Sequence, residues 1–144
     1  MCMKKNIYVI LIILLCHNYL AFAQKKEIQM IQIEYIDFTT LTDSKINCDN
    51  FELAGDYKTI IITNRKKINS FENKLFCGVK DTLNNYTLDA RAKIILYKKS
   101  NCNDTICISK YGYCINGFVI RDKNFINYIE VLIKSIDNNF SYEF

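Results

Sequence analysis

Proline and tryptophan are absent from the 144 residues, and the only histidine is His17, close to the start of the chain. The missing proline accompanies an abundance of Ile, Lys and Asn and reads as the compositional bias of an AT-rich genome. The isolated histidine carries more weight. Residues 1–23 have the pattern of an export signal: Lys4 and Lys5 at the start, an apolar run from Ile7 to Cys16, and Ala21-Phe22-Ala23 as a small-x-small cleavage pattern. Cleavage before Gln24 removes His17. A mature chain without imidazole has no Ser-His or Cys-His nucleophile and none of the usual zinc-hydrolase ligand sets.

Long apolar runs are scarce too. His17 and Asn18 interrupt the leader before it reaches the roughly 20 residues that a membrane span requires. The expectation is therefore cleavage and a secreted or periplasmic product with no stable membrane insertion. Leu15 precedes Cys16 where a lipoprotein signal wants a small residue, which argues against lipidation. No Gly/Ser-rich linker, repeat or composition shift divides residues 24–144, which read as a single secreted α+β domain. Positive charge is not concentrated either. The formal net charge of +4 falls when Lys4 and Lys5 leave, and Lys25-Lys26, Arg65-Lys66-Lys67 and Lys98-Lys99 are interleaved with acids. Phosphate-backbone binding needs a continuous basic face, so nucleic acid is not an expected partner.

What is present is a well-patterned set of strands and helices. Residues 27–38 are dense in Ile, Met, Tyr and Phe, with an alternation that slips between Met30 and Ile31, as in a bulged first strand. Residues 39–56 are polar and irregular, with Asp49 placed to start a short helical turn through Phe51 and Leu53. Thr59-Ile60-Ile61-Ile62 is β-branched throughout and predicts a second strand. Ile68, Phe71 and Leu75 recur at helical spacing within 65–77, and Gly78 stands where a C-cap glycine belongs.

Leu88, Ala90, Ala92, Ile94 and Leu96 then alternate with more polar residues, predicting a half-buried strand. Residues 105–109 and 113–120 predict a hairpin around Ser109-Lys110-Tyr111-Gly112, with Gly112 in the left-handed position. This register sets Ile108 opposite Tyr113, Ile106 opposite Ile115 and Cys107 opposite Cys114. Asp122 caps a final helix striped by Phe125, Ile129, Leu132, Ile133 and Ile136. The fold class is α+β: a mainly antiparallel sheet of about five strands with two helices packed on one face.

Cys2 and Cys16 leave with the leader, so Cys48, Cys77, Cys102, Cys107 and Cys114 remain, an odd number. At least one is unpaired or joins a second chain in a disulfide-linked dimer. In an oxidising compartment the others are read as staples, and the hairpin register favours a Cys107–Cys114 disulfide. Cys77 lies half a turn from its helix stripe and is the expected odd thiol, and Cys48 is left to pair with Cys77 or Cys102. The spacings Cys-x4-Cys and Cys-x6-Cys match neither a zinc site nor a dithiol redox motif. No metal and no cofactor is expected.

For chemistry, the irregular segment offers Asp43, Asp49, Glu52 and Asp56, and two carboxylates suffice for glycoside hydrolysis. For binding, Arg91, Lys93 and Tyr97 share the outward face of one strand, while Lys110 and Tyr111 sit at the hairpin tip, and Arg and Tyr are frequent binding anchors. The first expectation is thus a non-catalytic exported binding or interaction module contacting a protein or glycan, of the inhibitor, immunity-like or accessory-subunit kind. Its rival is a carboxylate-based hydrolase acting on cell-wall or extracellular polysaccharide.

Overall fold

Isoleucine decides where the sheet forms, because a β-branched side chain loses little rotamer freedom in extended backbone and packs closely on a pleated surface. The computed structural model describes residues 27–42, 44–75, 79–81, 88–100 and 102–139. In chain order it contains β1 (Ile28–Tyr35), a 3-10 segment (Cys48–Ala54), β2 (Lys58–Ile62), α1 (Arg65–Leu75), β3 (Val79–Asp81), β4 (Ala92–Lys98), β5 (Asp104–Ile108), β6 (Tyr113–Ile115), β7 (Phe118–Arg121) and α2 (Lys123–Lys134). The strands form one sheet in the order β2-β1-β4-β5-β6-β7-β3, antiparallel at every junction. The α+β class with an antiparallel sheet stands, with seven strands among the described residues where about five were expected.

The extra strands have specific causes. Residues 113–120 are two strands, because Asn116 and Gly117 both take positive φ (51° and 78°) and turn the chain in an Asn-Gly hairpin that pairs Ile115 with Phe118. The short β3 adds to the sheet edge through β7. At the neighbouring turn Gly112 is not left-handed. It is required for space: a Cβ there would lie 2.9 Å from the Ile120 carbonyl oxygen. The strand expected from Leu88 begins only at Ala92, after a bend at Arg91. The first strand does carry its irregularity, at Ile28/Met30.

The two α-helices of the described residues cover one face. α1 starts at Asn64, whose Oδ1 accepts from the Lys66 and Lys67 amides (3.0 and 3.2 Å), and α2 starts at Asp122, whose Oδ1 accepts from Phe125 N at 3.0 Å. Ile68, Phe71 and Leu75 of α1 join Phe125, Ile129 and Ile133 of α2 on a floor made by Ile31, Ile33, Ile60, Ile62, Ile94, Ile106 and Ile108. Phe71 and Phe125 meet edge to face with centroids 5.5 Å apart, and Tyr113 tilts onto Phe125 at 4.7 Å while donating its hydroxyl to Leu75 O at 2.8 Å. Ile136 lies beyond the end of α2 and is 44% exposed.

Among the described residues the opposite face is covered more thinly. The 3-10 segment crosses it, burying Phe51 with Ile36, Ile46 and Ala90. Asn50 Oδ1 accepts from Asn47 N at 2.8 Å, so an Asn pair holds its start, in place of the expected Asp49 cap. A second small cluster gathers Leu88, Cys107 and Val119 with Cys48 and Cys114.

Candidate functional site

At one end of the sheet the chain leaves a cleft of about 580 Å³ between the segment after β1, the bend before β4 and the β5–β6 turn. Its walls are built by local hydrogen bonds. Asp37 Oδ1 accepts from Thr39 N (3.1 Å) and Thr39 Oγ1 (2.9 Å), and Thr40 N donates to Asp37 O (3.0 Å), closing a turn that leaves Leu41 96% exposed. At the facing wall Ser109 Oγ donates to Gly112 O at 3.0 Å and accepts from the amides of Tyr111 and Gly112, both at 3.2 Å. That saturated hydroxyl fixes the tip and holds Tyr111 outward, 71% exposed.

Arg91 ties the two walls together. Its amide donates to Ile108 O (2.6 Å), its carbonyl accepts from Ile36 N (3.0 Å), and its guanidinium reaches Thr40 O (2.8 Å) and Asp89 Oδ2 (2.6 Å). The other oxygen of Asp89 accepts from Ile46 N at 3.1 Å. Asp89 and Arg91 are therefore committed to each other and to the scaffold, while Lys45 and Lys110 add cationic charge to the same lining. The result is an open, cationic cleft flanked by two exposed apolar side chains.

The residues expected to contact a partner divide between two places. Arg91, Lys110 and Tyr111 meet at the cleft. Lys93 and Tyr97 lie in β4 on the thinly covered face, away from it. There Lys93 Nζ forms ion pairs with Glu52 Oε1 and, at 3.9 Å, with Glu34 Oε2, and Tyr97 donates its hydroxyl to Gln32 Oε1 at 3.0 Å. Gln32 in turn donates to Glu34 Oε1 at 2.8 Å, leaving Glu34 Oε2 buried without a hydrogen bond. These side chains are engaged with one another, and Lys93 also with Glu52 of the 3-10 segment. Leu41, Lys45 and Asp89 complete the cleft and carry no local sequence signal, since long-range pairing alone brings positions in the forties beside residues near 90 and 110.

Asp49, Glu52 and Asp56 are exposed, and Asp43 lies outside the described residues. The hydrogen bond from Lys93 pulls the Glu52 carboxyl below its ordinary range, the direction opposite to that of a general acid. Burial raises the Glu130 carboxyl, opposed by the charges of Lys110 and Lys123. Among the described residues no group of three or more His, Cys, Asp or Glu is placed to hold a metal ion.

The cysteines pair differently from the sequence expectation. Cys107 does face Cys114 in the β5–β6 register, but its sulfur is bonded to Cys48, with Cα atoms 5.6 Å apart. The 3-10 segment passes over β5 and delivers Cys48 to Cys107 from above the sheet, a position invisible to strand pairing. Cys114 and the exposed Cys102 are free thiols, and Cys77 lies outside the described residues. Compared with known proteins, the chain matches no family model, no curated protein and no solved structure at a significant level.

Proposed function

We propose that this protein is an exported, non-catalytic binding module whose cleft seats a short acidic segment of a partner protein. The observation that carries this reading is that, among the described residues, the exposed Leu41 and Tyr111 share one lining with Lys45 and Lys110, while the carboxylate Asp89 is already bonded to Arg91 and Ile46. An apolar side chain of the partner enters between Leu41 and Tyr111, and neighbouring carboxylates meet the cations. Tyrosine supplies contact area at small entropic cost, and cationic rims steer acidic partners. Export is supported by the leader pattern and by a disulfide, a bond that persists in oxidising compartments.

The test is an array of random peptides probed with mature protein, wild type against Tyr111→Ala and Lys110→Glu. Acidic peptides carrying an apolar residue are retained by the wild type, retention falls with added salt, and each variant weakens it by roughly tenfold, the loss of one anchor. Retention that ignores peptide charge, or that survives both substitutions, overturns the reading.

A further inference from the structure

Three sulfur atoms share one small apolar cluster on the thinly covered face. Cys48 and Cys107 are bonded, and Cys114 is a free thiol in the strand position directly opposite Cys107. Directly opposed residues of antiparallel strands send their side chains to the same face of the sheet, with Cα atoms about 4.5–5.5 Å apart, inside the span that a disulfide bridges. Cys107 thus has two cysteines within bonding reach and is bonded to one of them.

We propose that Cys114 is an internal exchange thiol that converts the Cys48–Cys107 bridge into a Cys107–Cys114 bridge and releases the 3-10 segment. The Cys114 thiol gives its proton to solvent, and the thiolate attacks the Cys107 sulfur. A Cys107–Cys114 bond forms as the Cys48–Cys107 bond breaks, and Cys48 leaves as a thiolate that takes a proton from solvent. One disulfide and one thiol enter, and one of each remains. No outside oxidant or reductant takes part. Cys114 is only half-buried, so solvent reaches the site for the proton exchange.

The consequence reaches the cleft. The covalent hold on the 3-10 segment is the Cys48 bond; noncovalent holds include the burial of Phe51, the ion pair of Glu52 with Lys93, and, just before the segment, the bonds of Ile46 with Ala90 and Asp89. The chain that runs into this segment contains Leu41 and Lys45, which line the cleft. Exchange therefore frees the segment that follows this wall, leaving the wall to the bonds of Thr40 with Arg91 and of Ile46 with Ala90 and Asp89, while the β5–β6 hairpin gains a bridge. The chemistry of the exchange stands independently of what the cleft binds.

The experiment uses the full exported chain carrying Cys102→Ser, so that the tryptic peptide 100–110 holds Cys107 as its one cysteine; Cys48 falls in 46–58 and Cys114 in 111–121. The oxidised protein is incubated without added thiol, free thiols are alkylated, and the digest is mapped by mass spectrometry under non-reducing conditions. The expected result is growth of the 100–110 to 111–121 linkage, matched one to one by alkylated Cys48, with both lost when Cys114→Ser is added. A Cys48→Ser variant, oxidised with glutathione disulfide, is expected to form the Cys107–Cys114 bond quantitatively. The proposal is overturned if that variant leaves Cys107 and Cys114 both open to alkylation, or if Cys48 becomes alkylated as readily without Cys114.

Discussion

Removing Cys48 should destabilise the protein by an amount that depends on whether Cys114 is present. The native bridge joins positions 59 residues apart, and the loop-closure entropy withheld from the unfolded chain corresponds to about 4 kcal/mol at 25 °C. That is a large share of the roughly 5–15 kcal/mol by which domains are stable. In Cys48→Ala under oxidising conditions Cys107 is left facing Cys114. A bridge between these two closes a separation of only seven residues and restores about 2 kcal/mol by the same relation. The single variant should therefore lose about 2 kcal/mol, and Cys48→Ala combined with Cys114→Ala about 4 kcal/mol. Equilibrium urea unfolding followed by far-ultraviolet circular dichroism measures both, and tyrosine fluorescence serves as a second probe in a chain without tryptophan. A double variant within about 1 kcal/mol of the wild type would refute the loop-closure reasoning. A single variant as unstable as the double would show that Cys114 does not capture Cys107.

Two further outcomes follow from particular contacts. Gly112→Ala places a methyl group 2.9 Å from the Ile120 carbonyl, so β6 and β7 must shift, and the urea midpoint should drop by the equivalent of about 1–3 kcal/mol; an unchanged midpoint would mean the turn relaxes freely. Asp137 accepts from Lys58 Nζ (2.6 Å), Tyr35 Oη (2.8 Å) and Asn139 N (3.0 Å), and these bonds, Lys58 first, hold its carboxyl at about 2. A depressed acid stabilises the fold above its unfolded-state pKa of about 3.9 and loses that contribution as pH falls toward 2. The stability gap between wild type and Asp137→Asn should accordingly be full at pH 6 and shrink between pH 4 and pH 2, and a gap independent of pH in urea titrations would contradict this. Burial raises the Tyr35 hydroxyl, with Asp137 adding to the effect, so that group stabilises the fold until strongly alkaline pH.

Much of the helical face was legible in the sequence, because one periodic pattern there answers to one buried surface. Ile68, Phe71 and Leu75 pack as their spacing requires, and Asp122 caps α2 where expected. The register of Ile106, Cys107 and Ile108 against Ile115, Cys114 and Tyr113 also agrees. Two features depart from that simple pattern. Asn116-Gly117 is a strong local hairpin signal hidden inside an apolar run, and the alternation from Leu88 continues smoothly through a bend that moves Leu88 and Ala90 into separate clusters. The cleft was legible only as fragments. Tyr111 and Lys110 follow from the turn, but Leu41 and Lys45 belong to a polar stretch whose position is set by Arg91 and Asp89, through bonds across more than forty positions of sequence.

The unequal covering of the two faces explains why a single bridge matters so much on one of them. On the helical face two amphipathic helices seal a floor of isoleucines, and each fully buried side chain there contributes about 1.5–3 kcal/mol, so no local opening is cheap. On the other face the 3-10 segment buries one large residue, Phe51, and reaches through Glu52 to Lys93, which also pairs with Glu34, a charged contact that water can solvate. Glu34 Oε2, buried and without a hydrogen bond, even gains from hydration when the segment lifts. Noncovalent contacts alone therefore hold this segment weakly. The Cys48–Cys107 bond ties it covalently to the sheet, and a free thiol placed opposite that bond is placed where exchange releases the tie with little loss of core.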